Sequence, residues 1–258
     1  MASSTIDLDA FGALFHDHVA FAIDKQQRMS DVIGGQAHNW QLNLRSGLLT
    51  FTRTDGLPMA LGPDEPETRT LDVPIQLLGS EAQEGDDGTW LWAWANAESN
   101  IPDELQQAAL SLYQWGAAAG IAAFTEPLTP LDDRVNGLTI AMVAGGMLGA
   151  SSYYRCSYEG GGAYVLIKTP RFETPVERPH ERVALLFPRV IMQTEAPVRD
   201  HRRAFIGYLR AYDMAIEERG DRVVGTSRGS GVVSATFDDL HRLTGLQTIM
   251  AGRKRGDA

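Results

Sequence analysis

The chain has one cysteine, Cys156, in 258 residues. A single thiol excludes an internal disulfide and a cysteine-ligated zinc site, and it suits a reducing compartment. Cys156 falls in an extended stretch and is read as a small buried hydrophobe, not a nucleophile. Positive charge is scarce: 23 Lys and Arg against 33 Asp and Glu give a net charge of −10. Such a field repels phosphate backbones, so nucleic acid is not an expected partner. The one dense basic run, Arg253-Lys254-Arg255, reads as a solvated tail. Long hydrophobic runs are missing too. The longest, residues 138–150, is interrupted by Thr139 and too short to span a bilayer. The first residues lack the basic start and apolar stretch of a signal peptide. The expectation is a soluble cytoplasmic protein that does not engage a membrane.

Against these absences stands one dense feature, Trp90-Leu91-Trp92-Ala93-Trp94-Ala95-Asn96. Side chains two apart on a strand share a face. An extended reading puts three indoles on one side and Leu91, Ala93 and Ala95 on the other. Neither side is polar, so both are expected to be covered.

The rest of the chain alternates between helical and strand periods. Asp7 or Asp9 caps a helix running to about Met29, with Leu8, Phe11, Phe15, Ala22 and Met29 on one face, and Gly34-Gly35 ends it. Trp40, Leu42 and Leu44 alternate with polar residues as a half-buried strand, and Ser46-Gly47 turns into a second strand, 48–53. After a Pro-, Gly- and acid-rich loop, Leu71, Val73, Ile75 and Leu77 form a third. Pro74 marks it as an edge or a bulge. An acidic turn then leads to the tryptophan strand, completing an antiparallel meander. Pro102-Asp103-Glu104 opens a helix whose stripe is Leu105, Ala108, Ala109, Leu112, Trp115, Gly116 and Ala119, with Gly120 as C-cap. This stripe is expected to pack on the Leu91 face. A further helix is expected from Asp132 or Asp133 to Leu148, then a hairpin of 152–158 and 163–168. Residues 170–179 hold three prolines and read as a linker. Beyond them come an apolar stretch, 183–192, a helix over 199–218 with Phe205, Tyr208, Leu209, Tyr212 and Ile216 buried, and three strands, 222–226, 231–237 and 243–250.

The chemical motifs are weak. Gly225-Thr226-Ser227-Arg228-Gly229 matches the nucleophile elbow, and Asp238, Asp239 and His241 follow in triad order. A glycine-rich hairpin is the simpler account, because no helix follows the serine. Ala144-Gly145-Gly146-Met147-Leu148-Gly149 approaches the dinucleotide fingerprint but lacks its strand-then-helix setting. His16 and His18 point about 200° apart on a helix and cannot share an ion. The pairs Asp86-Asp87, Asp132-Asp133 and Asp238-Asp239 suit turns and caps. Arg255-Gly256-Asp257 is a coincidental adhesion tripeptide. No catalytic residue, metal or cofactor is assigned.

The tryptophan block, followed by Ile101-Pro102, resembles a bacterial domain family of unknown function. The helix with Tyr113 and Gly116 and the later Tyr153-Tyr154-Arg155 are similar to its pattern. The resemblance covers about residues 10–170. It implies a bacterial, soluble origin and carries no activity or site residues.

The sequence thus reads as an α+β protein. An antiparallel meander covered by helices occupies 6–169, a Pro-rich linker 170–180, and a C-terminal helical segment plus three-stranded unit 181–252. The leading expectation is a non-enzymatic binding module holding a small apolar or aromatic molecule, or a protein segment. Trp90, Trp92, Trp94, Trp40, Tyr153 and Tyr154 would line its pocket. The alternatives are a serine hydrolase using Ser227 and His241, or an acidic chaperone-like or immunity-type interaction protein.

Overall fold

A computed structural model describes residues 8–62, 65–84, 87–228 and 231–250, with all side chains but those of 8, 9, 83, 84, 87 and 250. The proposed caps Asp7 and Asp9, the side chains of Leu8 and of the Asp86-Asp87 pair, Gly229-Ser230, and the Arg253-Lys254-Arg255 and Arg255-Gly256-Asp257 tail lie outside that description. No helix among the described residues is long and apolar enough to cross a membrane. The architecture is α+β, with two antiparallel sheets. The chain divides into two compact units, Met1–Phe15 with Ala22–Thr174, and His16–Phe21 with Pro175–Ala258.

In the first unit, helix α1 (Leu8–Ile33) buries Phe11, Phe15, Ala22 and Met29. The spacing of these residues makes one apolar face. Gly34 and Gly35, both at positive φ, donate their N–H groups to Ser30 O and stop the helix. Strands β1 (His38–Asn43), β2 (Leu48–Arg53), β3 (Thr70–Glu84), β4 (Asp87–Trp92) and β5 (Leu128–Pro130) follow as a meander. Strand β7 (Gly161–Ile167) returns to β3, and β6 (Ser152–Tyr158) pairs with β7. Strand β3 is therefore central, not the edge its proline predicts. Pro74 is tolerated because pairing with β2 ends there and pairing with β7 begins at Ile75. The irregularity falls later, at Leu78.

Pro102-Asp103-Glu104 opens a 3₁₀ turn before α2 (Gln107–Ala119), which ends on left-handed Gly120. Leu105, Ala109, Leu112 and Gly116 are buried, but Trp115 is exposed, so the inward stripe is narrower than predicted. Gly116 lies against Phe124 of the short helix α3 (Ala122–Thr125), where a β-carbon would come within 2.6 Å of the Phe124 side chain. Helix α4 (Gly137–Met147) starts later than the aspartates predict. Asn136 caps it in a reciprocal box with Thr139, while Asp132 Oδ1 accepts the Arg134 and Val135 N–H groups in a turn. Helix α4 is buried almost all round, and Gly145 and Gly146 lie inside it, which removes the dinucleotide reading.

In the second unit, α5 (Pro179–Met192) and α6 (His201–Ala211) pack through Phe187 and Phe205, whose rings are 5.1 Å apart. Helix α6 is shorter than predicted. Asp213, at φ 52°, breaks the helical path, and Ile216 belongs to a strand, β8 (Ala215–Arg219). With β9 (Arg222–Ser227), β10 (Gly231–Phe237) and β11 (Leu243–Met250), β8 completes a sheet of four strands where three were expected.

The tryptophan block is extended only to Trp92. Residues 93–95 form a 3₁₀ turn, so strand alternation does not carry to Trp94. Trp90 and Trp92 are fully buried, 5.4 Å apart and edge-to-face. The Trp92 indole donates to Ala123 O at 3.2 Å. Trp94, half-buried, rests on Tyr113 of α2 at 4.7 Å. Trp92→Ala should therefore cost about 3–5 kcal/mol of stability in urea titration, and Trp94→Ala distinctly less. Equal losses would contradict the division at Trp92.

Burial also sets a pH limit. Burial pushes the Cys156 thiol up to about 12, and burial pushes the Tyr154 hydroxyl to about 12 as well. In the unfolded chain these groups ionise near about pH 8.5 and 10. The folded state thus holds protons that the unfolded state has lost. Stability should be full below about pH 8.5 and fall as pH rises toward 12. Melting curves from pH 7 to 11 should show this decline, and Cys156→Ala should flatten its lower part.

Candidate functional site

Four strands, β3, β4, β5 and β7, decide what each face of the first unit's sheet offers. Trp90 is in register with Glu81 and with Thr129, and Glu81 with Gly162. One step along, Trp92 and Tyr164 both oppose Gly79. Residues directly opposite share a face, so Glu81, Trp90, Thr129, Trp92 and Tyr164 lie on one side. Leu91 opposes Ser80, and Ser80 opposes Ala163, so these lie on the other.

The first side is closed. Glu81 is buried and accepts from Arg155 Nε at 2.7 Å. Burial, with the Glu81 carboxylate next, raises the pKa of Tyr164 far above the phenol range. Tyr164 also packs on Trp90 at 5.7 Å. A β-carbon on Gly137 would come within 2.3 Å of the Tyr164 ring and 2.7 Å of Glu81 Oε2, so the start of α4 seals this cluster. Only the Glu81 side of the pair is buried, since Arg155 is exposed, so losing Arg155 would leave a buried carboxylate without its charged partner.

The second side is open. The row Ala163–Ser80–Leu91 is half-buried, and Leu128, opposite Leu91, is exposed. A cavity of about 220 Å³ sits over this row. Its floor is Leu77, Gly79, Leu91, Ala93 and Ala163, and Leu44 and Ile101 stand at its sides. Ser80, Asn96, Ser99 and Tyr158 supply polar groups. Leu77 reaches this face because of the irregularity at Leu78: Leu77 opposes Val165, which shares a face with Ala163. Two polar groups are held in place. Asn96 Oδ1 accepts the Ser99 N–H at 3.2 Å, and the Tyr158 hydroxyl donates to Glu81 O at 3.3 Å.

The six residues predicted to line one pocket fall into separate places. Trp90 and Trp92 are core. Trp94 joins Tyr113. Trp40 and Tyr154 meet at 6.1 Å in a cluster with His38 and Phe51, where His38 Nε2 and the Tyr154 hydroxyl are 3.0 Å apart. Tyr153 is buried, and its carbonyl accepts from Gln26 Nε2. The predicted aromatic pocket is therefore corrected: the largest rings fill the core because adjacent strands interleave them. The cavity residues were missed because alternation marks Leu91 and Ala163 as opposite the aromatics, but only register brings them together.

The second unit has its own polar concavity, of about 240 Å³, lined by Val176, Glu177, Tyr212, Asp213, Ser227 and Arg228 among others. Ser227 is buried, and its partner is His180, with Oγ 3.4 Å from Nδ1. His241 is elsewhere: exposed, at φ 59°, with Nδ1 3.2 Å from Asp200 Oδ2. The Ser227–His241 pairing is thus corrected. His241 sits in the turn that Asp238 organises by accepting from Leu240 N and Arg242 N. His16 Nε2 accepts from Arg199 N and Asp200 N, each at 3.0 Å, so that nitrogen is occupied. Asp17 pairs with Arg203, and burial lowers the pKa of His18. Among the described residues no group of His, Cys, Asp and Glu has the arrangement to hold a metal ion.

Residues 12–170 match a family described as a family of unknown function (DUF6882). No curated protein and no solved structure matches the chain.

Proposed function

We propose that this chain, which belongs to the family of unknown function DUF6882, is a non-enzymatic binding module whose site is the cavity on the Leu91 face. One observation carries the reading. An apolar floor and a few fixed polar groups converge on a cavity whose rear wall is a rigid aromatic core. The volume of about 220 Å³ suits a small molecule. Leu77, Leu91, Ala93 and Ala163 would take its apolar body, and Ser80, Asn96 and Ser99 one or two polar substituents. A bacterial cytoplasmic setting is part of the proposal, supported by the lone buried Cys156. The acidic interaction reading has net charge alone behind it.

A serine hydrolase is the second reading, now resting on His180. It ranks lower for a physical reason. A general base accepting the Ser227 proton at Nδ1 becomes an imidazolium whose Nε2–H needs an acceptor. That atom is buried with no hydrogen-bond partner among the described residues, and Glu181 Oε1 stands at 4.0 Å. Ester turnover by the purified protein should stay at the uncatalysed level, and Ser227→Ala should leave it unchanged. Serine-dependent turnover would reverse the ranking.

For the binding reading, the readout is tryptophan emission, since Trp92 lies between two cavity residues in the chain. In a Trp115→Phe background, which removes an exposed indole, a small amphipathic aromatic ligand should shift emission with saturation. Ala163→Leu adds bulk to the half-buried floor and should weaken the response about tenfold or more, with little change in melting temperature. An unaltered affinity in this variant would remove the cavity from consideration.

A further inference from the structure

Among the described residues, no charged side chain lines the cavity on the Leu91 face. An ion entering it would leave its water and gain no charged partner. The lining therefore suits an uncharged ligand, and the polar groups around it narrow the kind.

Those groups are not equivalent. The Ser80 and Ser99 hydroxyls can turn to donate or to accept, so they select nothing by polarity. Asn96 and Tyr158 are fixed. A backbone N–H can only donate, so the Ser99 N–H, 3.2 Å from Asn96 Oδ1, settles which way the Asn96 amide faces. Oδ1 is occupied there, and Nδ2 has no hydrogen-bond partner among the described residues. Asn96 therefore offers a ligand only N–H donors. Tyr158 is the reverse. Its hydroxyl donates to Glu81 O at 3.3 Å, which leaves the phenol oxygen able only to accept. A ligand acceptor thus has its fixed partner at Asn96 and none at Tyr158.

We propose, building on the binding reading of this cavity, that its ligand is an uncharged molecule with a carbonyl group on an apolar body. The carbonyl oxygen accepts from Asn96 Nδ2, and the body lies on Leu77, Leu91, Ala93 and Ala163. A carbonyl is satisfied by accepting alone, whereas a hydroxyl also brings a proton that must find an acceptor.

Four probes that share a phenyl ring and differ in one small substituent test this on the full chain: acetophenone, isopropylbenzene, benzoate and benzylammonium. Each is titrated at about pH 7 while two-dimensional NMR follows the backbone amide signals of Ser80, Leu91 and Ala163. Acetophenone and isopropylbenzene should shift these signals with saturation, and the two ions should bind about tenfold more weakly than acetophenone or worse. Asn96→Asp keeps an oxygen for the Ser99 N–H and a favourable residue at the start of that turn, but it has no N–H to give. It should raise the acetophenone dissociation constant about tenfold and leave that of isopropylbenzene unchanged. If neither uncharged probe shifts the signals, the binding reading fails and the carbonyl assignment fails with it. If both bind but Asn96→Asp weakens both alike or neither, or if either ion matches acetophenone, the carbonyl assignment fails alone and the binding reading stands.

Discussion

The register of β3 against β4 and β7 is the constraint on which the first unit depends. Glu81, Trp90 and Thr129 stand in one row and Ser80, Leu91 and Ala163 in the next. A slip of one residue would exchange the faces. The indoles would then meet solvent, and Glu81 would lose Arg155 and Tyr164. Aromatic burial and the pairing of buried Glu81 with Arg155 penalise the same error. The polar pair adds little net stability by itself, because desolvation opposes it. Its effect is selective, since the wrong register leaves a buried carboxylate unpaired.

Gly79 shows how tightly that register is held. It lies between Trp92 and Tyr164, and a β-carbon there would come within 2.4 Å of Leu91 O and 2.7 Å of the Trp90 ring. The strand has no side chain at this point because two aromatic neighbours already fill the space. The irregular residue beside it, Leu78, is itself fully buried. One extra residue in β3 thus sends Leu78 into the core and turns Leu77 toward the cavity. The same local feature closes one face and furnishes the other.

Much of this was legible in the sequence. Period-two alternation marks β1, β2 and the first part of β3, and Gly34-Gly35 and Gly120 mark helix ends through backbone freedom that other residues lack. The errors have physical causes. Trp94 continues the alternation in letters but not in space, because the chain turns at Ala93. Ile216 fits a helical stripe, yet Asp213 takes a left-handed conformation and ends α6 before it. His241 follows Ser227 in the right order, but the imidazole beside that serine comes from α5, far back in the chain. The cavity was the least legible part. Its floor is drawn from β3, β4 and β7, and no periodicity within one strand states how strands align.

The two faces also divide labour in a way that bears on binding. Most of the cavity floor is backbone and side chains of three hydrogen-bonded strands, with Ala93 from the turn after β4, and fully buried indoles lie behind it. Such a floor has little freedom to lose when a ligand arrives, so binding there would cost little ordering. The rim is different. Asn96 joins two successive 3₁₀ turns and Ser99 ends the second, just before Asn100, which is left-handed at φ 45°. Short 3₁₀ segments have poorer hydrogen-bond geometry than helices or ladders, and this one is held at its start by the Asn96–Ser99 bond. Affinity would therefore come from the fixed floor, and selectivity from a rim that can adjust. The tryptophans take part in neither contact. They back the floor from behind, so the most conspicuous residues of the sequence lie one layer away from the proposed site.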